Sequence, residues 1–209
     1  MTTLIDGARA LGLSLDPAQA ARLTAHLDLL DDWNTRMNLT AIRERPAQIT
    51  KHVLDSLSVL PRLRGTRIAD VGSGAGFPGI PRAIVDPGRH YPLIESTGKK
   101  CRFLEYVREA LELAHVEVVQ ARAEAYQPVT RYDTVVARAV GPVADLVRQA
   151  GPLVAGGGRL LAMKGRYPEE ELAARLNGWK VAGVHRLEVP GLGEERHVVE
   201  LCRSHDRLD

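Results

Sequence analysis

The run Arg67-Ile68-Ala69-Asp70-Val71 passes directly into Gly72-Ser73-Gly74-Ala75-Gly76-Phe77-Pro78-Gly79, and no other feature restricts the fold as much. An apolar strand entering a turn with four glycines presents backbone, free of Cβ atoms, to whatever lies beyond the strand end. A helix that follows aims its first amide N–H groups at the same space, and the two features together favour a nucleotide-like ligand. Gly74 to Gly79 also satisfies the G-x-G-x-x-G spacing of dinucleotide binders. Glu95 closes the next apolar run, Leu93-Ile94, where a carboxylate can accept from both hydroxyls of a ribose. Nicotinamide dinucleotides and S-adenosylmethionine both meet that description, and the motif does not choose between them.

The rhythm from residue 66 onward is α/β. Strand-like runs at 67–71, 91–95, 116–121, 133–140 and 158–164 alternate with helical stretches at 79–86, 97–113, 142–154 and 168–176, which predicts a mostly parallel sheet. After Trp179, residues 180–189 and 197–202 read as a closing antiparallel hairpin joined through Pro190 to Arg196. The preceding part reads as a helical cap. Asp16 and Pro17 suit a helix start, and Leu23, Leu27, Leu30, Trp33 and Met37 recur at spacings of three or four. A second helix is expected from near Pro46, with Ile49, Val53, Leu57 and Leu60 inward and His52, Asp55 and Ser56 at polar positions between them. The expected organisation is one domain, with residues 1–65 as cap and 66–209 as core.

Composition excludes several classes. With 209 residues, 44% of them hydrophobic, the chain can build an ordinary core and is not a disordered protein. It contains no apolar run of membrane-span length, and Met1 to Asp6 lacks the basic and apolar blocks of a signal peptide, so a cytoplasmic location without membrane attachment is expected. Cys101 and Cys202 are the only cysteines. They suggest neither a disulfide framework nor a metal site, and Cys101 reads as a structural thiol. A net charge of +2 does not argue for nucleic acid, but residues 43–67 carry Arg43, Arg45, Lys51, Arg62, Arg64 and Arg67 against Glu44 and Asp55. That block is either a set of arginines on solvated helices or part of a phosphate-binding patch. No obligate protein partner is indicated.

Three further strand ends carry candidate chemistry. In Gln120-Ala121-Arg122-Ala123-Glu124, the backbone at Ala123 and the carboxylate of Glu124 could read an adenine edge, or Glu124 could serve a following helix. Arg138 ends a nearly continuous apolar strand, where it must pair with a carboxylate or face a polar ligand. Lys164 repeats that placement one strand later, with an exposed strand-end lysine as the plain reading. Missing motifs matter as well. Methylation of an exocyclic amine commonly uses Asn or Asp followed by Pro-Pro and an aromatic residue, whereas this chain has Ala137-Arg138-Ala139-Val140. Pyrimidine C5 methylation needs a cysteine nucleophile at a strand end, and neither thiol qualifies. Guanine N7 offers an in-plane lone pair and needs no general base, so alignment and charge management suffice. No catalytic acid or base is assigned.

Taken together, these segments resemble the RsmG family, also called GidB, over nearly the whole chain. Trp33-Asn34, Met37 to Ile42 and His52 to Leu57 look like the family's N-terminal signature, and Asp70 to Ile80 like its cofactor loop. Lys99 to Leu104, Ala137 to Ala139, Met163 to Gly165 and Gly193 to His197 match further segments in order. The resemblance implies a Rossmann-like class I S-adenosylmethionine-dependent methyltransferase fold. It also implies guanine N7 methylation in a conserved loop of 16S rRNA near the decoding region of the small subunit. By the same resemblance, Gly72, Gly74 and Phe77 lie on the methionine and ribose side of the cofactor, Glu95 takes the ribose, Ala123 and Glu124 approach the adenosine, and Arg138 borders the place where methyl and base meet. Ile94-Glu95-Ser96-Thr97 replaces the commoner Leu-Asp-Ser-Leu type of sequence, leaving the start of the next helix open.

A splayed base can be held by arginine planes as well as by aromatic rings, which makes Arg122, Arg138, Lys164, Arg196 and His197 the candidate RNA-facing groups. Three other functions use the same residues. A 2′-O-methyltransferase would set Lys164 with an acid such as Asp55 against a hydroxyl. A nicotinamide dehydrogenase would use the glycine turn and Glu95. A non-catalytic ribosome-binding factor would keep the cofactor as a structural ligand.

Overall fold

Asp16 starts the longest helix as its sequence suggests. In the computed structural model, which describes residues 3–205, α1 spans Leu4–Ala10 and α2 spans Pro17–Met37. Residues 1, 2 and 206–209, inside the expected limits of cap and core, lie outside the described residues. The Asp16 carboxylate accepts from the Gln19 amide N–H while the Gln19 side chain accepts from the Asp16 N–H, a capping box that satisfies two otherwise unpaired donors. Leu23, Leu27 and Leu30 are buried as expected, Trp33 and Met37 only half so. The same helix also buries His26 and Asn34, which the leucine spacing does not foretell.

The second cap helix differs from the expected regular one. It runs as α3, Arg45–Gln48, then a π-helical stretch, Ile49–Leu54, then α4, Asp55–Leu57. A wider turn shifts the phase of every following side chain. Val53 and Leu57 still point inward, but so do His52, Asp55 and Ser56, all buried, where a 3.6-residue repeat places them between the apolar positions.

The core is a seven-stranded sheet in the order β3-β2-β1-β4-β5-β7-β6. Strands β1 (Ile68–Val71), β2 (Tyr91–Glu95), β3 (Val116–Gln120), β4 (Tyr132–Arg138) and β5 (Val154–Lys164) are parallel. Helices α5 (Gly79–Val85), α6 (Gly98–Ala110) and α7 (Val143–Ala150) connect them. The expected hairpin is present as β6 (Trp179–Arg186) and β7 (His197–Arg203), with β7 antiparallel to both β5 and β6. This is the Rossmann-like class I methyltransferase fold.

Two boundaries move for identifiable reasons. β5 starts at Val154 rather than 158 because the pairing with β4 shifts register between Tyr132↔Val154 and Thr134↔Arg159, so the Gly156 to Gly158 run is absorbed in an irregularity. The helix expected at 142–154 stops at Ala150, where Gly151 and Pro152 open a single 3-10 turn; proline has no N–H with which to continue the α-helix. The stretch expected at 168–176 shortens to α8, Glu169–Leu172.

One buried cluster joins cap and sheet, with Leu23, Leu27 and Leu30 of α2 in the same set as Ile80, Leu93, Phe103 and Leu104. Burial of each such leucine contributes roughly 2 kcal/mol, so this stripe anchors the cap over α5 and α6. On the other face, Val135 and Leu160 share a second cluster with Leu146 and Val147 of α7. The basic block does not form one open patch. Arg45 pairs with Asp28 and Asp31, Lys51 with Glu194 and Arg64 with Glu200, and Arg67 lies over the Tyr132 ring.

Candidate active site

The chain leaves β1, passes outward through β2 and β3, then returns to β4 on the other side of β1. A cleft opens at such a reversal, outside the carboxyl ends of the strands. Gly72, the first residue beyond β1, has φ +72°, and a Cβ there would meet Val140 Cγ2 at 3.0 Å. Its N–H donates to the Ile94 carbonyl at 2.8 Å, so the turn is pinned to β2. Gly74 donates its N–H to Glu95 Oε2 at 3.0 Å, and Thr97 donates its N–H to Glu95 Oε1 at 2.8 Å. The second amide also settles the start of α6, since Thr97 is its N-cap without a side-chain capping bond. Each Glu95 oxygen thus holds one amide and keeps one acceptor position. Glu95 shares the cleft with Gly72, Arg122, Ala123, Glu124 and Val140, and two adjacent acceptor positions suit a vicinal diol.

Behind the turn, Asp70 and Arg82 are fully buried. Asp70 Oδ2 accepts from the Gly79 N–H at 2.9 Å, Arg82 Nε donates to the Pro78 carbonyl at 2.9 Å, and Arg82 Nη2 lies 3.9 Å from Asp70 Oδ1. Burial raises the Asp70 pKa, opposed by the Arg82 charge and the Gly79 amide. The pair ties both ends of the glycine turn to β1 and α5. Gly79 lets helix and strand pack closely here, because a Cβ would lie 2.3 Å from Leu93 Cδ2 and 2.7 Å from Asp70 Oδ2 and would force those side chains to shift. An arginine inside the apolar run of α5 is the signal that could have exposed this pair.

Phe77 faces the cap rather than the cleft. Its ring is stacked between His52, at 4.5 Å and 13°, and His26, at 4.6 Å and 26°, and is 4% exposed; any contact with a ligand on the expected methionine side falls to its backbone. The His26 ring meets the Ala75 carbonyl through Nε2 at 3.0 Å, so that nitrogen carries the proton. His52 Nε2 is 3.0 Å from Thr40 Oγ1. Burial lowers both histidine pKa values to about 4, with the Arg138 charge adding to the effect at His52. Both rings are therefore neutral at pH 7.

The expected RNA-facing residues divide into distinct environments. Arg138 takes the paired alternative: its Nη1 donates to Asp55 Oδ2 at 2.9 Å and to the Lys51 carbonyl at 3.0 Å. Arg196 Nε donates to Asp55 Oδ1 at 3.2 Å. One buried carboxylate thus gathers two arginines that lie 83 and 141 residues further along the chain, each about one-fifth exposed at 21% and 20%. Arg122 is exposed at the cleft. Lys164 is not the free strand-end lysine of the plain reading, because Nζ donates to Glu171 Oε2 and to the Gly141 carbonyl, both at 2.6 Å.

His197, the first residue of β7, is 8% exposed, its Nδ1 lies 2.9 Å from the Gly165 carbonyl and Tyr167 covers it edge-on. Asp55 and Lys164, which a 2′-O mechanism would join, are held by different partners. Cys101 is buried with its thiol donating to the Glu95 carbonyl, which fits its structural reading. No helix among the described residues is long and apolar enough to cross a membrane.

Known proteins supply a second line of comparison. Solved structures match the fold at low identity. A glycopeptide N-methyltransferase, MtfA, complexed with S-adenosyl-L-methionine aligns with TM-score 0.61 and 13% identity over 73% of this chain and 94% of its own. A Geobacter sulfurreducens S-adenosylmethionine-dependent methyltransferase bound to S-adenosyl-L-homocysteine aligns with TM-score 0.56 and 15% identity over 84% and 98%. Sequence relatives are far nearer. A protein of Xanthomonas oryzae pv. oryzae called ribosomal RNA small subunit methyltransferase G is 48% identical over 191 residues, 91% of this chain and 90% of that protein. One of the same name from Nitrosospira multiformis is 47% identical over 210 residues, 97% of each chain. The family model for GidB, rRNA small subunit methyltransferase G, matches residues 19–199, and with that span and those identities the chain belongs to this methyltransferase family.

Proposed function

We propose that the protein transfers a methyl group from S-adenosylmethionine to N7 of a guanine in 16S rRNA of the small ribosomal subunit. The observation that carries the reading is Glu95 at the end of β2, one acceptor position open on each oxygen beside the Gly72 to Gly76 turn. That arrangement fits the ribose of the cofactor, with Gly72 and Gly74 along one side and Ala123 and Glu124 toward the adenine. When bound, the cofactor supplies a sulfonium methyl group open to in-line attack. The protein's part is placement and charge. Arg138 and Arg196, fixed on Asp55, and Arg122 at the cleft hold the anionic RNA, and Lys164 fixes the neighbouring loop through Gly141 and Glu171.

Guanine N7 is the target best matched to these residues, since it loses no proton on attack. The two histidines beside Phe77 are buried in a stack, and Asp55 is engaged by two guanidinium groups, so neither offers a base to a hydroxyl. The names of the sequence relatives support ribosomal RNA as substrate, and the ligands of the two solved methyltransferases support the cofactor. Cap and core work as one unit across their shared apolar cluster, in the cytoplasm and with no obligate protein partner. The test is transfer from labelled S-adenosylmethionine to small subunits from a strain lacking this protein, with mass-spectrometric mapping. We expect 7-methylguanosine at one loop site. A 2′-O-methylated nucleoside overturns the assigned atom, and absence of label despite cofactor binding overturns the enzyme reading.

A further inference from the structure

Along α7 and past the start of β4 lies a cavity of about 500 Å³, within the range of about 300 to 1,000 Å³ usual for ligand sites. Its walls come from the loop before β4, from α7 and the turn after it, from the loop between α8 and β6, from the start of β6 and from the end of β7. Four arginines line it: Arg131, Arg148, Arg175 and Arg203. Asp145 is the single acidic residue in the lining, and it pairs with Arg148 at 3.0 Å. Arg131 and Arg175 are exposed and have no hydrogen-bond or ion-pair partner among the described residues. Two uncompensated guanidinium groups facing one cavity repel each other, a cost that an anion between them removes.

The aromatic wall narrows the choice of ligand. Trp179 packs against Gly151, where a Cβ would meet its ring at 3.1 Å, and Arg203 lies over the ring at 5.0 Å from its centroid. Arg203 is held there by the carbonyls of Gly151 and Val154. With Gly151 against the ring and Arg203 over one face, the indole is poorly placed to stack a nucleobase, and the four arginines make charge the feature that the cavity reads. Phosphate is the anion whose geometry planar guanidinium groups match. The cavity and the cofactor cleft adjoin through α7, whose Ala144, Asp145, Val147 and Arg148 line the cavity and whose Gln149 lines the cleft, while Arg131 ahead of β4 and Gly72 beyond β1 lie at opposite ends of two parallel strands.

We propose that this cavity is a second RNA contact, taking phosphodiester groups of the substrate particle beside α7 and outside the cofactor cleft. The inference rests on the reading of small-subunit RNA as substrate. Phosphate contacts of this kind orient a particle without reading its bases, which suits an enzyme that must reach one guanine in a large folded RNA.

The test is the full-length chain carrying Arg131→Gln and Arg175→Gln together, both exposed and outside the cofactor cleft, assayed on unmodified small subunits at several salt concentrations. We expect KM for the subunit to rise roughly tenfold, with kcat and cofactor affinity unchanged. The dependence of log KM on log salt should become shallower by about 1.4 to 1.8, at about 0.7 to 0.9 for each lost phosphate contact. An unchanged KM and salt slope overturns the proposal. Inorganic phosphate, followed by Trp179 fluorescence in a Trp33→Phe background, separates the other source of the same chemistry. Phosphate binding lost in the double variant with KM for subunits intact makes the cavity a free-anion site and also overturns it. A parent protein that neither binds nor methylates subunits overturns the function itself, a result seen before any variant is compared.

Discussion

The carboxylate of Asp55 accepts a hydrogen bond of 2.9 Å from Arg138, a partner 83 residues along the chain. The second oxygen accepts from Arg196, so one buried acid of the cap sets the positions of two cations on the core. Asp55→Asn keeps the shape and removes the charge. We expect a loss of about 2 to 3 kcal/mol in unfolding free energy, below the full cost of breaking a buried pair because both arginines reach water. Methyl transfer should fall at least tenfold while cofactor affinity stays within twofold, as measured by urea titration and calorimetry. Equal loss of cofactor affinity would contradict a role confined to the arginines.

Glu95 accepts from two amides, and Gln in its place would turn an NH2 group toward one of those N–H donors. We predict that Glu95→Gln weakens S-adenosylmethionine binding by about 1.5 to 3 kcal/mol, the usual worth of a hydrogen bond to a charged group. Calorimetric titration with S-adenosylhomocysteine reads this directly. Affinity equal to that of the parent would remove Glu95 from the ribose site.

Gly79→Ala forces a methyl group against Leu93 and Asp70. Overpacking of this size costs typically 1 to 3 kcal/mol, and the bond from the Gly79 N–H to Asp70 stretches as the helix start moves. A fall of about 3 kcal/mol in unfolding free energy is expected, together with weaker cofactor binding. A melting temperature identical to the parent's would show that α5 yields here at no cost.

His26 and His52 make stability depend on pH. Their folded pKa values of about 4 lie below the unfolded value of 6.5, so the unfolded chain binds more protons in the interval between. Stability is complete above 6.5 and declines as pH falls toward 4. By about pH 5 the loss is about 2 kcal/mol for each histidine. Asp70, raised by burial, acts in the opposite sense, so the comparison that isolates the histidines is with His52→Gln. Between pH 7 and 5 that variant should lose about 2 kcal/mol less stability than the parent, read from urea titrations; the same decline in both would exclude His52 as a contributor.

Much of the fold was legible in the sequence because its signals are local. β2 falls on the residues expected, Tyr91–Glu95, since an apolar run there is bounded by polar residues on both sides. The glycine turn was equally plain. The phase of Asp55 and His52 was not, because a π-helical stretch depends on packing that no heptad-like count records. Nor was the Asp55 hub, whose partners come from the end of β4 and the loop before β7. Lys164 and Arg138 were recognised as strand-end cations, but their acidic partners lie on other elements. His197 looked chemical by type, and its burial against the Gly165 carbonyl was not legible, since it depends on the pairing of β7 with β5.

The position of β7 between β5 and β6 bears on how a nascent chain matures. Parallel strands β1 to β5 can assemble as they leave the ribosome, but β5 then has an open edge, and such edges invite pairing with other chains. That edge is covered only when residues 197–203 emerge. Arg196, directly ahead of them, reaches Asp55 at the same moment, so translation delivers protection from misassociation and the last cation of the Asp55 hub in one late event.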